Sequence, residues 1–150
     1  MTWLRKPAFE FMADRRRIQA EIENVELTLR ELENAVSRPE RSPVELAGIA
    51  TFVHNAYNGI ENILKQILQA EKITVPRQST WHKALLDQAR SAGLVSEGMA
   101  EELLEYLAFR HFFVHGYGIL LEETPLMDLA TRLPGVWNRF QEETRRYREG

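Results

Sequence analysis

The chain has 150 residues, with 19 Lys and Arg against 22 Asp and Glu, a formal net charge of -3 and no cysteine. One domain of this length can bury roughly 70% of the surface that its unfolded chain exposes, so it needs no disulfide or metal to hold it together. The lack of cysteine excludes disulfides, thiolate zinc sites and cysteine nucleophiles. The acidic balance argues against a protein that coats nucleic acid by charge alone.

The sequence contains no candidate for a membrane segment. No stretch approaches the roughly 18 uncharged apolar residues of a membrane span, and the opening residues MTWLRK have no apolar core of signal-peptide length. We therefore expect a soluble, cytoplasmic protein with no membrane partner.

Two long periodic stretches predict the first two helices. In the first, apolar residues recur three and four positions apart from Ile18 onward and so share one face: Phe11, Ile18, Ile22, Val25, Leu29, Leu32 and Val36. This near-heptad spacing also suits a coiled-coil seam, although an edge of an ordinary bundle is favoured. After a break at residues 37–43, the clearest periodicity of the chain runs to about Lys72: Ile49, Phe52, Val53, Ala56, Tyr57, Ile60, Ile63, Leu64, Ile67 and Leu68.

The opposite face of the second predicted helix is polar. It comprises His54, Asn55, Asn58, Glu61, Asn62 and Lys65. A stripe of this kind is most often a solvated face. The alternative interpretation is that its amides and His54 face a cleft.

Capping residues predict a short third helix. Residues 73–78 form a connection, after which Ser79 or Thr80 can act as the N-cap. The helix then runs through Ala92, with Gly93 at the position that commonly adopts the left-handed conformation after a helix.

Two more helices complete the predicted fold. Ser96 can cap a fourth helix over residues 97–115, with Gly116 as its stop. Pro125 opens a last helical region that is bent or split at Pro134-Gly135. Its expected inward residues are Leu126, Leu129, Leu133, Trp137, Phe140 and Tyr147.

The fold class follows from these elements. No strand pattern, internal repeat or low-complexity tract is visible in the sequence. We therefore predict an all-α protein, an antiparallel bundle of about five helices with short connections. Trp81 and Trp137 are expected to be core residues.

The end of the fourth predicted helix carries the strongest functional signal. Residues 110–117 read RHFFVHGY, which places four polar groups capable of proton and phosphate chemistry among three bulky apolar ones. Polar groups in an apolar setting need partners or a ligand. We interpret this segment as a site.

Arg110 and His115 suit the cleavage of a phosphodiester. An imidazole can take or give a proton near neutral pH, and a guanidinium can hold the non-bridging oxygens as charge builds on phosphorus. RNA supplies its own 2′-hydroxyl as nucleophile, so two such side chains can act without a metal or other cofactor.

Helix geometry separates these two groups within one chain. Five steps of a 3.6-residue helix turn through roughly 140°, so Arg110 and His115 cannot converge on a continuous helix. The helix end is also apolar nearly all round, with Phe109, Phe112 and Phe113 on one face. We therefore expect a homodimer through the fourth helix that buries the phenylalanines and gathers two Arg/His sets in one groove.

Two other patterns are weaker candidates for a site. His111 lies one turn from His115 and could form a metal clip with it, but zinc hydrolases with that spacing have Glu directly after the first His, where this chain has Phe112. Arg77 and His82 repeat the Arg/His spacing. We discount them because Arg77 lies in a connection and His82 is expected on an exposed short helix without aromatic packing.

With these residues in place, the chain resembles the HepT-like toxins of the HEPN superfamily. Their signature is Arg, four residues, His, one residue and Tyr, often with a polar residue after the Arg; this sequence matches it in full, with His111 in the polar slot. Residues 54–67, HNAYNGIENILKQI, also look like the second helix of this group. The resemblance implies a single HEPN-like helical domain over residues 1–150 and a homodimeric, metal-independent endoribonuclease that acts on RNA.

The resemblance also implies roles and a partner. Arg110 and His115 carry over as catalytic residues, and His111 joins them as a candidate. Tyr117 carries over as the residue to which a minimal nucleotidyltransferase antitoxin, of the MntA type in a type VII toxin-antitoxin system, adds AMP. The alternative is a non-catalytic helical binding module that dimerises through the same helix end. The basic runs at residues 15–17 and 145–148 are most often solvated faces, and RNA phosphates are their alternative partner.

Overall fold

Five α-helices form the regular structure of the described part of the chain. The computed structural model describes residues 8–75, 81–116 and 121–149, with side chains described between residues 15 and 148 of those ranges. The helices are α1 Ala8–Ser37, α2 Pro43–Ala70, α3 Trp81–Ser91, α4 Glu97–Val114 and α5 Glu123–Glu149. The described ranges contain no strand, which confirms the predicted all-α bundle. Among these helices, none combines the length and apolarity needed to cross a membrane.

Helix α2 lies at the centre of the bundle. It contacts each of the other four helices, and its interface with α1 is the most extensive. Ser42 caps its start, and Pro43 occupies the first turn, where a missing N–H costs nothing. The predicted apolar face is buried except for Phe52, which is partly buried. Because α2 contacts all four of the other helices, it determines the positions of side chains from α3 and α4.

Helix α1 packs its predicted stripe against α2. The members from Ile18 to Leu32 are buried, and Val36 is partly buried. The side chain of Phe11 lies outside the described residues. The stripe therefore serves as a bundle edge, in agreement with the favoured interpretation of its spacing.

The two long helices approach most closely at Gly59. A Cβ atom added there would overlap Cγ2 of Val25, a residue that is only 1% exposed. The χ1 angle of a β-branched valine is restricted, and a buried valine has little room to move. The hydrogen atom of Gly59 is therefore what lets α1 and α2 pack at this distance.

We expect Gly59→Ala to lower the free energy of unfolding by about 1–3 kcal/mol, because overpacking must displace Val25 or the helices themselves. Gly48→Ala is the matched control on the same helix, since no atom lies near the Cβ it would add. That substitution should raise the free energy of unfolding by roughly 0.5–1 kcal/mol through helix propensity alone. Urea denaturation of both variants measures the difference, and equal stabilities would contradict the close approach.

Helix α4 is fixed to α5 along its length. The Tyr106 hydroxyl donates to the Leu129 carbonyl at 2.8 Å, and Arg139 forms a two-pronged ion pair with Glu102 that includes a 2.9 Å bond. Arg132 adds a 2.9 Å bond to Glu105. Exposed ion pairs contribute little one by one, but the buried Tyr106 hydrogen bond sets the position of α4 relative to α5.

Helix α5 begins earlier than predicted, and of the predicted bend or split at Pro134-Gly135 the split does not occur. It begins at Glu123, two residues before Pro125, and it continues through Pro134 without a split. Pro134 is exposed, whereas its neighbours Leu133 and Val136 are fully buried. Packing of those neighbours holds the helix together across the hydrogen bond that proline cannot donate.

Candidate functional site

Helix α4 ends within the segment that the sequence singled out. Val114 is its last residue and His115 is the C-cap, with its N–H bonded to the His111 carbonyl at 3.2 Å. Gly116 follows with φ +80°, the left-handed conformation predicted for the stop. His115 therefore leaves the helix at its last turn rather than continuing it.

Arg110 is directed from α4 towards α2. Its side chain is partly buried, and its Nε–H donates to Oδ1 of Asn58 at 3.3 Å. The two residues lie 52 positions apart in the sequence, so this bond joins α4 to α2. Asn58 therefore holds the guanidinium by its inner nitrogen.

His54 completes this group on α2. Its Nε2 lies 3.0 Å from Nδ2 of Asn58, and its ring stacks on Phe113 of α4 with centroids 4.9 Å apart. Burial, and then the positive charge of Arg110, hold the pKa of His54 below its usual value. The neutral imidazole is thus the native form near neutral pH.

This lowered pKa predicts a loss of stability in acid. The unfolded chain takes up a proton on His54 near pH 6.5, whereas the folded chain resists it, so stability is complete above that pH and declines as the pH falls towards the folded pKa. We expect His54→Gln, which cannot be protonated, to show a shallower decline than the wild type between pH 7.5 and pH 5. Urea titrations at each pH measure this, and parallel curves would refute it.

His115 and His111 form a second, exposed pair. Their ring centroids lie 4.2 Å apart with planes inclined by 59°, as expected for residues one turn apart. Within the described residues, no hydrogen bond or ring contact joins this pair to Arg110. The structure thus brings Arg110 to α2 and the two imidazoles to each other, and it leaves the two groups on different sides of the helix.

The phenylalanines of this segment already have partners within the chain. Phe109 and Phe113 are partly buried against the core and lie 5.8 Å apart. Part of the exposed surface of α4 is a stripe at positions i, i+4, i+7 and i+11, which we call the open stripe: Leu104, Ala108, His111 and His115, all exposed. The open stripe combines the two imidazoles with a small apolar surface.

The polar face of α2 is mostly not solvated. His54 and Asn58 turn to α4, Glu61 turns to α3, and Asn62 bonds Glu21 of α1 at 3.4 Å. Asn55 alone among its amides is exposed. The stripe is therefore mostly covered by α1, α3 and α4, and the solvated interpretation is wrong for most of its residues.

The interpretation of His82 from sequence is wrong. Its Nδ1 lies 2.9 Å from Oε1 of Glu61, which is only 2% exposed, and its ring packs on Trp81 with centroids 3.6 Å apart. Lys65 in turn lies over the Trp81 ring at 4.5 Å. His82 is thus a partly buried structural histidine with aromatic packing, and Trp81 is partly buried at the edge of the core while Trp137 is buried in it.

Several sequence predictions concern residues outside the described ranges. These are the role of Tyr117, the position of Arg77 and the N-cap at Ser79 or Thr80. Among the residues that are described, no group of three or more His, Asp or Glu side chains could hold a metal ion.

Comparison with known proteins identifies the family. A family model described as HepT-like protein matches residues 48–150, which include most of α2, all of α4 and the segment at its end. A crystal structure of a protein from Thermus thermophilus is similar in fold, with a TM-score of 0.59 and 21% identity over 83% of this chain and 99% of that chain. No curated protein sequence matches the chain. Because the family model covers more than half of the sequence, the chain belongs to the HepT-like family of HEPN toxins.

Proposed function

We propose that this protein is a metal-independent endoribonuclease whose cleaving groups are Arg110, His115 and His111. The observation that carries the proposal is the arrangement at the end of α4. Arg110 is held there by a hydrogen bond from Nε to Asn58, while His115 lies exposed at the C-cap beside His111. A guanidinium fixed in place and an accessible imidazole pair are the two components that phosphodiester cleavage needs.

The reaction requires no group beyond RNA and these side chains. One imidazole removes the proton of the 2′-hydroxyl, and the 2′-oxygen then attacks the adjacent phosphorus. The bond from phosphorus to the 5′-oxygen breaks, and that oxygen leaves with a proton donated by a second acid. The products are a 2′,3′-cyclic phosphate and a 5′-hydroxyl end. Arg110 stabilises the charge that develops on the non-bridging oxygens.

A second copy of the chain would bring Arg110 and His115 to one phosphate, which a single helix end cannot do. Arg110 and His115 face different sides of α4, so a single helix end cannot place both on one phosphate. The open stripe puts His111 and His115 in line with Leu104 and Ala108. Pairing of two such stripes about a two-fold axis would bury the apolar part and gather both helix ends around one RNA groove.

The direct test is RNA cleavage by the purified chain in the presence of EDTA. We expect cutting to persist and to leave a cyclic phosphate, because the nucleophile comes from the RNA itself. An oligonucleotide with deoxyribose at the cut site, otherwise identical, is the matched control and should resist. Cleavage of that control, or loss of activity with EDTA, would show that water or a metal is involved instead.

Control of such a nuclease is proposed to act at Tyr117, one residue beyond Gly116. Transfer of AMP to its hydroxyl by an MntA-like nucleotidyltransferase would add a bulky anion two residues after His115 in sequence, and that anion would repel the RNA phosphate. Mass spectrometry of the chain after co-expression with that partner detects the added nucleotide. An unmodified chain that is nevertheless inactive would mean that the partner inhibits by binding.

The second candidate is a non-catalytic helical module. It is favoured by one feature, the exposed apolar part of the open stripe, since Leu104 and Ala108 suit association with another helix whether or not RNA is cut. The two candidates differ in one result, because a binding module would leave RNA intact under every condition above.

A further inference from the structure

Asn58 makes two bonds at once, and their directions are linked. Its amide has one acceptor oxygen and one donor NH2 group. Arg110 can only donate, so the oxygen must face Arg110 Nε, at 3.3 Å. The NH2 group must then face Nε2 of His54, at 3.0 Å.

The protonation of His54 follows from that orientation. An NH2 group cannot accept a hydrogen bond, so Nε2 of His54 must offer its lone pair to keep this contact. The imidazole proton then resides on Nδ1, a buried nitrogen that has no hydrogen-bond partner in the described part of the chain. If Nε2 carried the proton, its N–H and the NH2 group of Asn58 would be two donors facing each other. The amide would then have to turn its oxygen away from Arg110 to accept the Nε2 proton. The state of His54 therefore decides whether Asn58 can hold the guanidinium.

The ring of His54 is itself held by α4. It stacks on Phe113 with a centroid distance of 4.9 Å and an interplanar angle of 29°. Phe113 lies three residues after Arg110 and two before His115. The two α2 side chains thus contact α4 at two points. Asn58 bonds the guanidinium of Arg110, and His54 stacks on Phe113 in the last turn.

Holding Arg110 by Nε also orients its other nitrogens. In the described part of the chain the two terminal nitrogens of Arg110 make no hydrogen bond. A planar fork fixed at its inner nitrogen presents its outer edge in one direction, which suits two parallel bonds to a phosphate.

We propose that Asn58 and His54 are positioning residues for Arg110, with Asn58 holding Nε and neutral His54 fixing the direction of the Asn58 amide. The proposal rests on the proposed function in one respect, namely that the guanidinium so held binds the scissile phosphate. The hydrogen-bonded arrangement itself is independent of any RNA.

The first experiment measures cleavage by Asn58→Leu, which has a similar volume and can make neither bond. We expect kcat to fall about 10- to 100-fold with a smaller change in KM, because misplacement of a group that acts in the transition state costs mostly kcat. Asn55→Leu is the matched control, since Asn55 is exposed on the same helix. Wild-type kcat in Asn58→Leu, or an equal loss in both variants, would overturn the proposal.

The second experiment needs no RNA. In 15N NMR spectra, exchange of the Arg110 Nε proton with water should quicken in Asn58→Leu and stay unchanged in Asn55→Leu, with the signal assigned by its absence in Arg110→Lys. In Asn58→Asp the carboxylate still accepts from Arg110 but presents an oxygen to His54, so the proton should appear on Nε2 of His54. Slow exchange in Asn58→Leu, or His54 unchanged in Asn58→Asp, would refute the proposal.

The two experiments separate this proposal from the proposed function. A wild-type chain that cuts no RNA would contradict the nuclease, and the NMR results would still decide whether Asn58 and His54 hold Arg110. Cleavage that survives Asn58→Leu would contradict the positioning role and leave the nuclease intact.

Discussion

Substitution of His115 with alanine is expected to reduce RNA cleavage by about 100- to 10,000-fold, the range for loss of a general acid or base. The fold should survive, because the side chain is exposed at the C-cap and its ring contacts only His111 among the described residues. Single-turnover cleavage of an RNA oligonucleotide measures the rate, and thermal unfolding measures the stability. Full activity in His115→Ala would remove this residue from the mechanism.

Arg110→Lys tests the other half of the same prediction. Lysine keeps the charge but has neither the planar fork nor an Nε–H at the position that bonds Asn58. We expect a loss of about 100- to 1,000-fold, as for removal of one donor to a developing anion. Arg90→Lys is the control, since Arg90 is exposed and its ion pair with Asp87 is a loose 3.9 Å. Equal activities of the two variants would show that charge alone suffices.

Local chemistry explains which parts of the fold were predictable. Ser96 caps α4 as expected, with its hydroxyl accepting the Met99 N–H at 3.1 Å. Gly93 and Gly116 both have positive φ, at +77° and +80°. Such caps depend on residues within one turn of each other. The sequence therefore places the ends of α4 within one residue.

Contacts between helices were predictable only in part. The spacing of His54, Asn58, Glu61 and Lys65 puts them on one face of α2, but the identity of the helix that covers that face depends on how α3 and α4 pack. His82 shows the consequence: nothing within one turn of it signals the buried Glu61, 21 residues away. The bond between Arg110 and Asn58 was invisible for the same reason.

The phenylalanines illustrate a limit of composition as a guide to interfaces. Three of them at one helix end indicate burial, but not whether the same chain or a second copy buries them. Phe109 and Phe113 pack against the core of their own chain. The exposed apolar residues left for a partner are smaller: Leu104 and Ala108 on the open stripe, and Val114 beside it. The dimer proposal now rests on them.

A charge in the open stripe should therefore separate the two copies without disturbing either one. Leu104 is 38% exposed, so Leu104→Asp can leave its carboxylate in water in the monomer. In the proposed dimer the same carboxylate would be buried without a partner, at a cost of several kcal/mol. We expect light scattering at micromolar concentration to give a dimer for the wild type and a monomer for Leu104→Asp.

Leu27→Asp is the matched control, because Leu27 is a leucine of α1 that is 53% exposed and far in sequence from the stripe. It should remain dimeric and cut RNA at the wild-type rate. Leu104→Asp should lose cleavage together with the dimer although Arg110, His111 and His115 are all intact, because the groups on different sides of α4 meet only when a second helix end is present. A monomeric wild type, or an active monomer of Leu104→Asp, would mean that one chain brings Arg110 and His115 together by unwinding the last turn of α4.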